Sequence, residues 1–341
     1  MSESELISII IPTFNRSHLI EETLNSVKSQ TYTNWECLIV DDGSIDDTKP
    51  KVDAYIKKDS RFKYYDRPNT YASGGNGARN YGAKKSKGDW LIFLDSDDLL
   101  TKSTLLDRMN PNAVFDMQIS ITGTFKREIG DSNKIWNKVN STDSHIELIN
   151  RYINMDMPWH TSGVTWNAHF FNKIGGWNER LSAWQDWEIH CRSLFFKPKL
   201  HYIINKPDNY FRISRHDSIG ETVKSQTYMR SVFNSFLSLD ELLKKNKDVF
   251  EMVKVDYEKL LCKMLITFPI KKGFLFFPLK SLLKMPFFKG ANRFLFLKCY
   301  IIELLAKSNT LKTKVLNKSY IKQQDFVKLK SNYLKFTIND L

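Results

Sequence analysis

The sequence predicts an α/β fold with a mostly parallel sheet covered by helices on both faces. Three observations carry that prediction. Strand and helix signals alternate through the first hundred residues. The apolar runs that read as strands are continuous, not alternating, which fits strands buried on both sides. Acidic clusters stand directly after two of those runs, at the strand ends where an open α/β sheet binds its ligand.

Each element has its own signal. Ile7-Ser8-Ile9-Ile10-Ile11 is a β-branched run that reads as a strand stopped by Pro12. Residues 17–30 place Leu19, Ile20, Leu24 and Val27 on one helical stripe, with Ser17 in position to cap it. Cys37-Leu38-Ile39-Val40 is the second strand, ending at Asp41-Asp42-Gly43-Ser44. A helix follows over 46–58, entered through Asp46, Asp47 and Thr48, then a third strand at Phe62-Lys63-Tyr64-Tyr65. The glycine-rich loop Ser73-Gly74-Gly75-Asn76-Gly77 leads into a helix over 78–85. Trp90-Leu91-Ile92-Phe93-Leu94 is the fourth strand, ending at Asp95-Ser96-Asp97-Asp98. Further on, residues 119–125 alternate like one strand, 144–153 read as a helix, and 228–263 look helical.

Composition narrows the class. The 341 residues are 42% hydrophobic and 26% charged, which is globular and not disordered. Four widely spaced cysteines give neither a disulfide framework nor a zinc motif, so a reducing compartment is expected. The acidic start MSESE lacks the basic opening of a secretory signal, and no apolar run reaches transmembrane length. The net charge of +13 is concentrated: residues 240–341 hold 21 Lys and Arg against 9 Asp and Glu. A nearly neutral front and a basic back imply one chemical region and one docking region.

The acidic clusters carry the chemistry. Asp95 and Asp97, one residue apart at a strand mouth, suit a hard divalent cation shared with substrate phosphates, although an acidic loop or helix cap has the same pattern. Asp41-Asp42 can accept hydrogen bonds from a base or ribose, or simply close an Asx turn. The glycine-rich loop with Arg79 can hold a phosphate, but it is not a Walker A loop. Asp186 lies between Trp184 and Trp187, where apolar rings would raise its pKa toward that of a general base; an acidic first helical turn is the plainer reading.

Taken in order, Ile9-Ile10-Ile11-Pro12-Thr13-Phe14-Asn15-Arg16, Leu24-Asn25-Ser26-Val27-Lys28-Ser29-Gln30-Thr31, Val40-Asp41-Asp42-Gly43-Ser44, Ala78-Arg79-Asn80-Tyr81-Gly82 and Phe93-Leu94-Asp95-Ser96-Asp97-Asp98 resemble a family 2 glycosyltransferase of the GT-A fold. Gly175-Gly176-Trp177-Asn178-Glu179 and Gln185-Asp186-Trp187-Glu188 resemble the acceptor-side motif of that family. The resemblance covers residues 6–220. It implies a catalytic domain over 1–225, with the nucleotide half at 1–100 and the acceptor half at 101–225; charge and aromatic content mark 226–341 as a helical, basic-aromatic region.

The same resemblance implies an inverting, metal-dependent transfer from a nucleotide-sugar, most often UDP-linked, to a glycan or lipid-linked acceptor in bacterial cell-envelope polysaccharide synthesis. Pro12, Thr13 and Asn15 would shape the nucleotide pocket, Asp42 would meet the base with Asp41 beside it, and Arg79 would lie near the ribose or pyrophosphate. Asp95, Ser96 and Asp97 would form the D-x-D element, with Asp97 and Asp95 as ligands of Mn²⁺ or Mg²⁺ and His216 as a third ligand in some members. Asp186 would be the catalytic base. Trp184, Trp187 and Glu188 would meet the acceptor. Gln185 departs from the commoner Glu at that place and puts one contact in doubt. A sugar-nucleotide pyrophosphorylase or a non-catalytic binding protein are the alternatives; the first would need a basic glycine loop after strand one.

Residues 259–302 contain no Asp or Glu and interleave lysines with phenylalanines. That pattern suits an interfacial segment at a membrane surface, where each Lys or Arg near an anionic leaflet adds about 1 kcal/mol. A helical domain or an oligomer contact has the same composition. No nucleic-acid motif is present, so no nucleic-acid partner is expected. Without a secretory signal or a membrane-spanning run, and with this basic-aromatic stretch, the expected location is cytoplasmic, peripheral on the inner face of the membrane.

Overall fold

The structure is a computed structural model that describes residues 5–109, 114–132, 134–136, 139–213, 225–285 and 291–307. The chain separates into two compact units, Met1–Met252 and Val253–Leu341.

The first unit opens with β1 (Ile7–Thr13), α1 (Ile20–Lys28), β2 (Trp35–Asp41), α2 (Thr48–Ile56), β3 (Phe62–Asp66), α3 (Gly75–Lys85) and β4 (Trp90–Phe93). It continues with β5 (Leu99–Leu100), α4 (Thr104–Arg108), β6 (Met117–Ser120), β7 (Thr122–Phe125), α5 (His145–Ile153), β8 (Val164–Asn167), α6 (Ala168–Lys173), α7 (Gln185–Leu194), β9 (Leu200–Ile203), β10 (Asn209–Arg212) and α8 (Gln226–Lys245). The central sheet has seven strands in the order β3-β2-β1-β4-β8-β6-β9. Among them β8 alone runs against its neighbours, so the sheet is mostly parallel, as the apolar runs predict. A small sheet, β5-β10-β7, stands beside it.

The strand signals work because these segments are buried on both faces. Every residue of β2 and β4 is buried. Ile7, Ile9, Ile11, Ile20, Leu24, Val27, Cys37, Ile39 and Ile92 form one core cluster, each without accessible surface. Burying one such aliphatic side chain contributes ~1.5–3 kcal/mol.

Several expectations are corrected in detail. Strand β1 does not stop at Pro12 but runs to Thr13, paired with Asp41. Thr13 turns its carbonyl toward β2, where it accepts from Asp42 N–H at 2.9 Å, so Pro12 faces the β4 side. Pairing with β4 has already ended at Ile10, so the missing proline donor costs no ladder bond. Ser17 does not cap α1; the helix starts at Ile20 without a side-chain cap, and the Ser17 N–H donates to Asp46 Oδ2 at 3.0 Å. Helix α3 begins inside the glycine loop, at Gly75. The alternating stretch 119–125 is two strands in two sheets, broken at Ile121.

The second unit begins within α9 (Lys247–Cys262). A π-helical turn at Lys263–Thr267 follows, then α10 (Phe268–Lys271), α11 (Phe277–Lys284) and α12 (Ala291–Lys307). No helix among the described residues is long and apolar enough to cross a membrane.

Candidate active site

The β1–α1 and β2–α2 loops are tied together at the carboxyl end of the sheet. Asn15 holds a left-handed backbone, φ 52°, which Asn tolerates better than most residues. Its N–H donates to Ser44 Oγ at 2.8 Å and its Oδ1 accepts from Ile45 N–H at 2.9 Å. Arg16 N–H donates to Thr48 Oγ1 at 2.9 Å. Thr13 is buried at the strand end, and its Oγ1 has no hydrogen-bond partner among the described residues.

The two neighbouring aspartates divide their work. Asp41 Oδ1 accepts from the N–H groups of Gly43 (2.9 Å) and Ser44 (2.7 Å), and Oδ2 accepts from Tyr64 OH at 2.7 Å. Its carboxylate thereby closes the turn at the end of β2. Asp42 accepts from Arg67 Nε, from Gly74 N–H at 2.7 Å and from Ser73 Oγ at 3.3 Å. Arg67 is further held by the carbonyls of Pro68 and Tyr71. No sequence signal points to Arg67, because its loop has no period.

Arg79 projects from α3 to the end of β4. It is buried, its Nη2 donates to Asp95 Oδ1 at 2.5 Å, and its guanidinium lies over the Trp177 ring at 4.7 Å. Its Nε finds no partner among the described residues. Burial works to raise the Asp95 pKa, but Arg79, His160 and Arg16 hold it below the ordinary range. Asp97 goes the other way: burial and the charge of Asp95 push it up, with Arg16 and Arg212 opposing. Ser96 is buried between them. Asp98 is fully buried, accepting from Ser162 Oγ at 2.8 Å and Arg212 N–H at 3.1 Å. Arg212 also donates to the Asp97 carbonyl at 3.1 Å and pairs with Glu22 at 2.5 Å, so it clamps this loop to α1.

Asp186 stands in the first turn of α7, after Trp184, whose left-handed backbone (φ 65°) is unusual for a bulky residue. Packing holds Trp184 there: its indole N–H donates to Tyr228 OH at 2.9 Å, and its ring meets Trp187 and Phe236. Burial pushes the Asp186 carboxyl up to about 6; Arg79 draws it down, and Asp95 adds to the rise. The buried Thr161 hydroxyl lowers it. Asp186 and Asp97 therefore both feel Asp95, in one electrostatic neighbourhood built from separate parts of the chain.

The remaining acceptor-side expectations need correction. Trp187 is buried, and its indole N–H donates to the Tyr152 carbonyl at 2.7 Å. Glu188 is buried beneath Arg192 (2.8 Å) and Ser238 (2.6 Å). Both side chains pack α7 against α5 and α8, which leaves Trp184 as the half-exposed aromatic beside Asp186. Trp159, Trp166 and Trp177 are core as well. His216 lies outside the described residues.

His160 and Trp136 come to the same place without any motif to announce them. His160 Nδ1 meets Ser162 Oγ at 2.8 Å, and its ring packs against Trp136 and Phe211. Burial lowers its pKa to about 4, so the ring is neutral at physiological pH. Among the described residues no three His, Cys, Asp or Glu side chains gather into a complete metal cage. The Asp95–Asp97 pair nevertheless fits a hard cation. Its donors are carboxylate oxygens, Asp97 carries no ion pair among the described residues, and the mutual repulsion that raises its pKa would be relieved by positive charge.

Comparison with known proteins identifies the family and the fold. Residues 8–174 match the model of Glycosyl transferase family 2. The Campylobacter jejuni GalNAc(5)-diNAcBac-PP-undecaprenol beta-1,3-glucosyltransferase is 30% identical over 243 residues, 70% of this chain and 74% of that protein. The Escherichia coli UDP-Glc:alpha-D-GlcNAc-diphosphoundecaprenol beta-1,3-glucosyltransferase WfgD is 47% identical over 94 residues, 28% of this chain and 36% of that one. The crystal structure of S. aureus TarS 1–349 in complex with UDP-GlcNAc superposes with a TM-score of 0.56 at 18% identity, covering 88% of this chain and 91% of that one. That last likeness supports the GT-A fold. On these grounds the chain belongs to glycosyl transferase family 2 and is a glycosyltransferase.

Proposed function

We propose that this glycosyltransferase moves a sugar, with inversion, from a UDP-sugar to a hydroxyl of a lipid-linked or glycan acceptor in cell-envelope polysaccharide synthesis. The observation that carries the reading is the Arg79–Asp95 ion pair at the end of β4, with Asp97 beside it and Asp186 within electrostatic reach of both partners of the pair. The Campylobacter and Escherichia relatives, both named for transfer to undecaprenol-diphosphate-linked acceptors, support the acceptor class.

The residues divide the work as follows. Pro12, Thr13 and Asn15 wall the nucleotide side. Asp42, steered by Arg67 and the Gly74 N–H, would accept from a base or ribose. Asp97, with Asp95 beside it, would hold Mn²⁺ or Mg²⁺. Bound there, the cation supplies Lewis-acid neutralisation of the leaving diphosphate. Arg79 orients Asp95 and adds positive charge. Asp186 takes the proton of the acceptor hydroxyl. A carboxylate with a pKa near 6 is largely ionised at neutral pH, yet more basic than an ordinary aspartate. With a single base opposite the leaving group, attack inverts the anomeric centre. Trp184 offers an aromatic face for a sugar ring.

We assign the basic, acid-free stretch of the second unit to an anionic membrane surface. Phe276 and Phe294 are 73% and 77% exposed, which is costly in water but suits an interfacial anchor set among lysines. Flotation with anionic vesicles tests this part alone: protein that stays at the bottom at low salt refutes it.

The catalytic reading is tested by a donor-hydrolysis screen over nucleotide-sugars with and without Mn²⁺. Metal-stimulated release of UDP from one donor is expected. Release from none, or release indifferent to metal, refutes it.

A further inference from the structure

The segment that leads into α7, and so to Asp186, is gripped by a helix that the family match does not reach. Helix α8 lies in the first unit, beyond matched residues 8–174. Its Ser231 is buried, and the hydroxyl makes three hydrogen bonds with this segment. It accepts from Ser182 N–H at 3.1 Å and from Ala183 N–H at 3.0 Å, and it donates to the Ala183 carbonyl at 2.6 Å. Three residues earlier, on the same face of α8, Tyr228 OH accepts from the Trp184 indole. The other end of the segment is held from α3, where Asn76 Nδ2 donates to the Asn178 and Leu181 carbonyls at 2.8 and 2.9 Å. Residues 178–184 are thus strung between the helix that carries Arg79 and α8.

The segment needs this grip. A hydroxyl both donates and accepts, so one small side chain can serve a backbone N–H and a carbonyl together. Ala183 is buried, so losing the hydroxyl strands its N–H away from water. Trp184 follows with its left-handed backbone, which a bulky residue keeps only where its surroundings impose it. Helix α8 imposes it twice: Ser231 fixes the backbone just before Trp184, and Tyr228 and Phe236 fix its side chain. Trp184 is the residue from which α7 departs, and Asp186 is in the first turn of α7.

We propose that Ser231 is a positioning residue for the transfer: through Ser182 and Ala183 it sets the turn at Trp184 and thereby aims the Asp186 carboxylate at the acceptor hydroxyl. The proposal rests on the reading of Asp186 as the base. Ser231 reaches the reaction only through this segment. Asp42, Arg79 and Asp97 are placed by β2, α3 and the end of β4, so the donor side does not depend on it. A displacement of about 1 Å at a reacting group costs up to about 100-fold in rate, and that loss falls on kcat when donor binding is untouched.

The test compares Ser231→Ala with wild type in the full chain. Amide hydrogen exchange over residues 182–187 should be about tenfold faster in the variant, with β1 and α3 unchanged. Turnover is read as UDP release from the donor that the hydrolysis screen selects, water standing in for the acceptor. The kcat should fall about 10–100-fold, while donor KM and the affinity for UDP with Mn²⁺ stay within about twofold. Tyr228→Phe, which removes the indole's acceptor and leaves Ser231 in place, should show a smaller fall of the same kind. Unchanged exchange, an unchanged kcat, or donor affinity lost in step with kcat would overturn the positioning role. Asp186→Asn run alongside separates the two readings. If it loses turnover while Ser231→Ala keeps it, the base stands and the positioning role fails; if it keeps turnover, the base reading fails and the positioning role falls with it.

Discussion

Asp186→Asn keeps the outline of the side chain and removes its capacity to take a proton, so rate and stability should move in opposite directions. The carboxyl stands at about 6 against an ordinary value of 3.8, raised first by burial. Because the folded-state value lies above the unfolded one, the folded protein binds the extra proton. Stability is fully present below the unfolded value and falls as pH rises through the folded one. A rise of that size costs the folded state roughly 3 kcal/mol at neutral pH. A neutral amide escapes most of it, which in a unit of this size is worth several degrees in Tm. The same change removes a general base, which contributes roughly 10²–10⁴ in rate, or about 3–5 kcal/mol of barrier. The assay pairs initial rates of sugar transfer with thermal unfolding at pH 5 and pH 8. The wild-type kcat/KM should fall about tenfold per pH unit below the Asp186 value, and the variant should lack that limb. A variant that keeps rates within about tenfold of wild type would remove Asp186 from the base role, and one less stable than wild type at pH 8 would refute the cost assigned to its buried charge.

Other perturbations separate the roles. Asp97→Ala should abolish the metal-dependent part of stabilisation by UDP, which at a hundredfold excess over Kd is worth about 2.7 kcal/mol, read by thermal shift with and without Mn²⁺. Arg67→Ala should raise KM for the donor by about 1–3 kcal/mol equivalent with kcat little changed, since Arg67 steers Asp42 and not the reacting atoms. Glu188→Ala leaves Arg192 and Ser238 without their buried acceptor and should cost about 3–5 kcal/mol in denaturant unfolding, an effect on folding and not on the pH profile.

Much of the donor side is legible in the sequence because it is local. Strands β1, β2 and β4 are short apolar runs whose ends are marked by the acids they position, so Asp42, Asp95 and Asp97 fall where the pattern says. The acceptor side is not local. Trp187 and Glu188 follow Asp186 in the chain, but helical geometry turns them into the α7–α8 packing, and only burial and hydrogen bonding reveal that. Arg67, His160 and Thr161 reach the site from loops whose sequences have no period. The Asp41-Asp42 pair reads as a doublet, yet one member closes the turn while the other faces the glycine loop. The stretch 119–125 alternates perfectly through a break between two sheets, since a register of two continues on either side of Ile121.

Catalysis as proposed for this chain requires one spatial arrangement: a cation-bridged diphosphate beside Asp97, with the Asp186 carboxylate across from it. A crystal structure with UDP and Mn²⁺, the metal located by its anomalous scattering, examines that arrangement itself. Manganese is expected between an Asp97 oxygen and the diphosphate, with Asp186 facing the open space beyond the β-phosphate. Manganese bound away from Asp97, or UDP lying with Asp186 on the same side as its leaving oxygen, would rule the arrangement out.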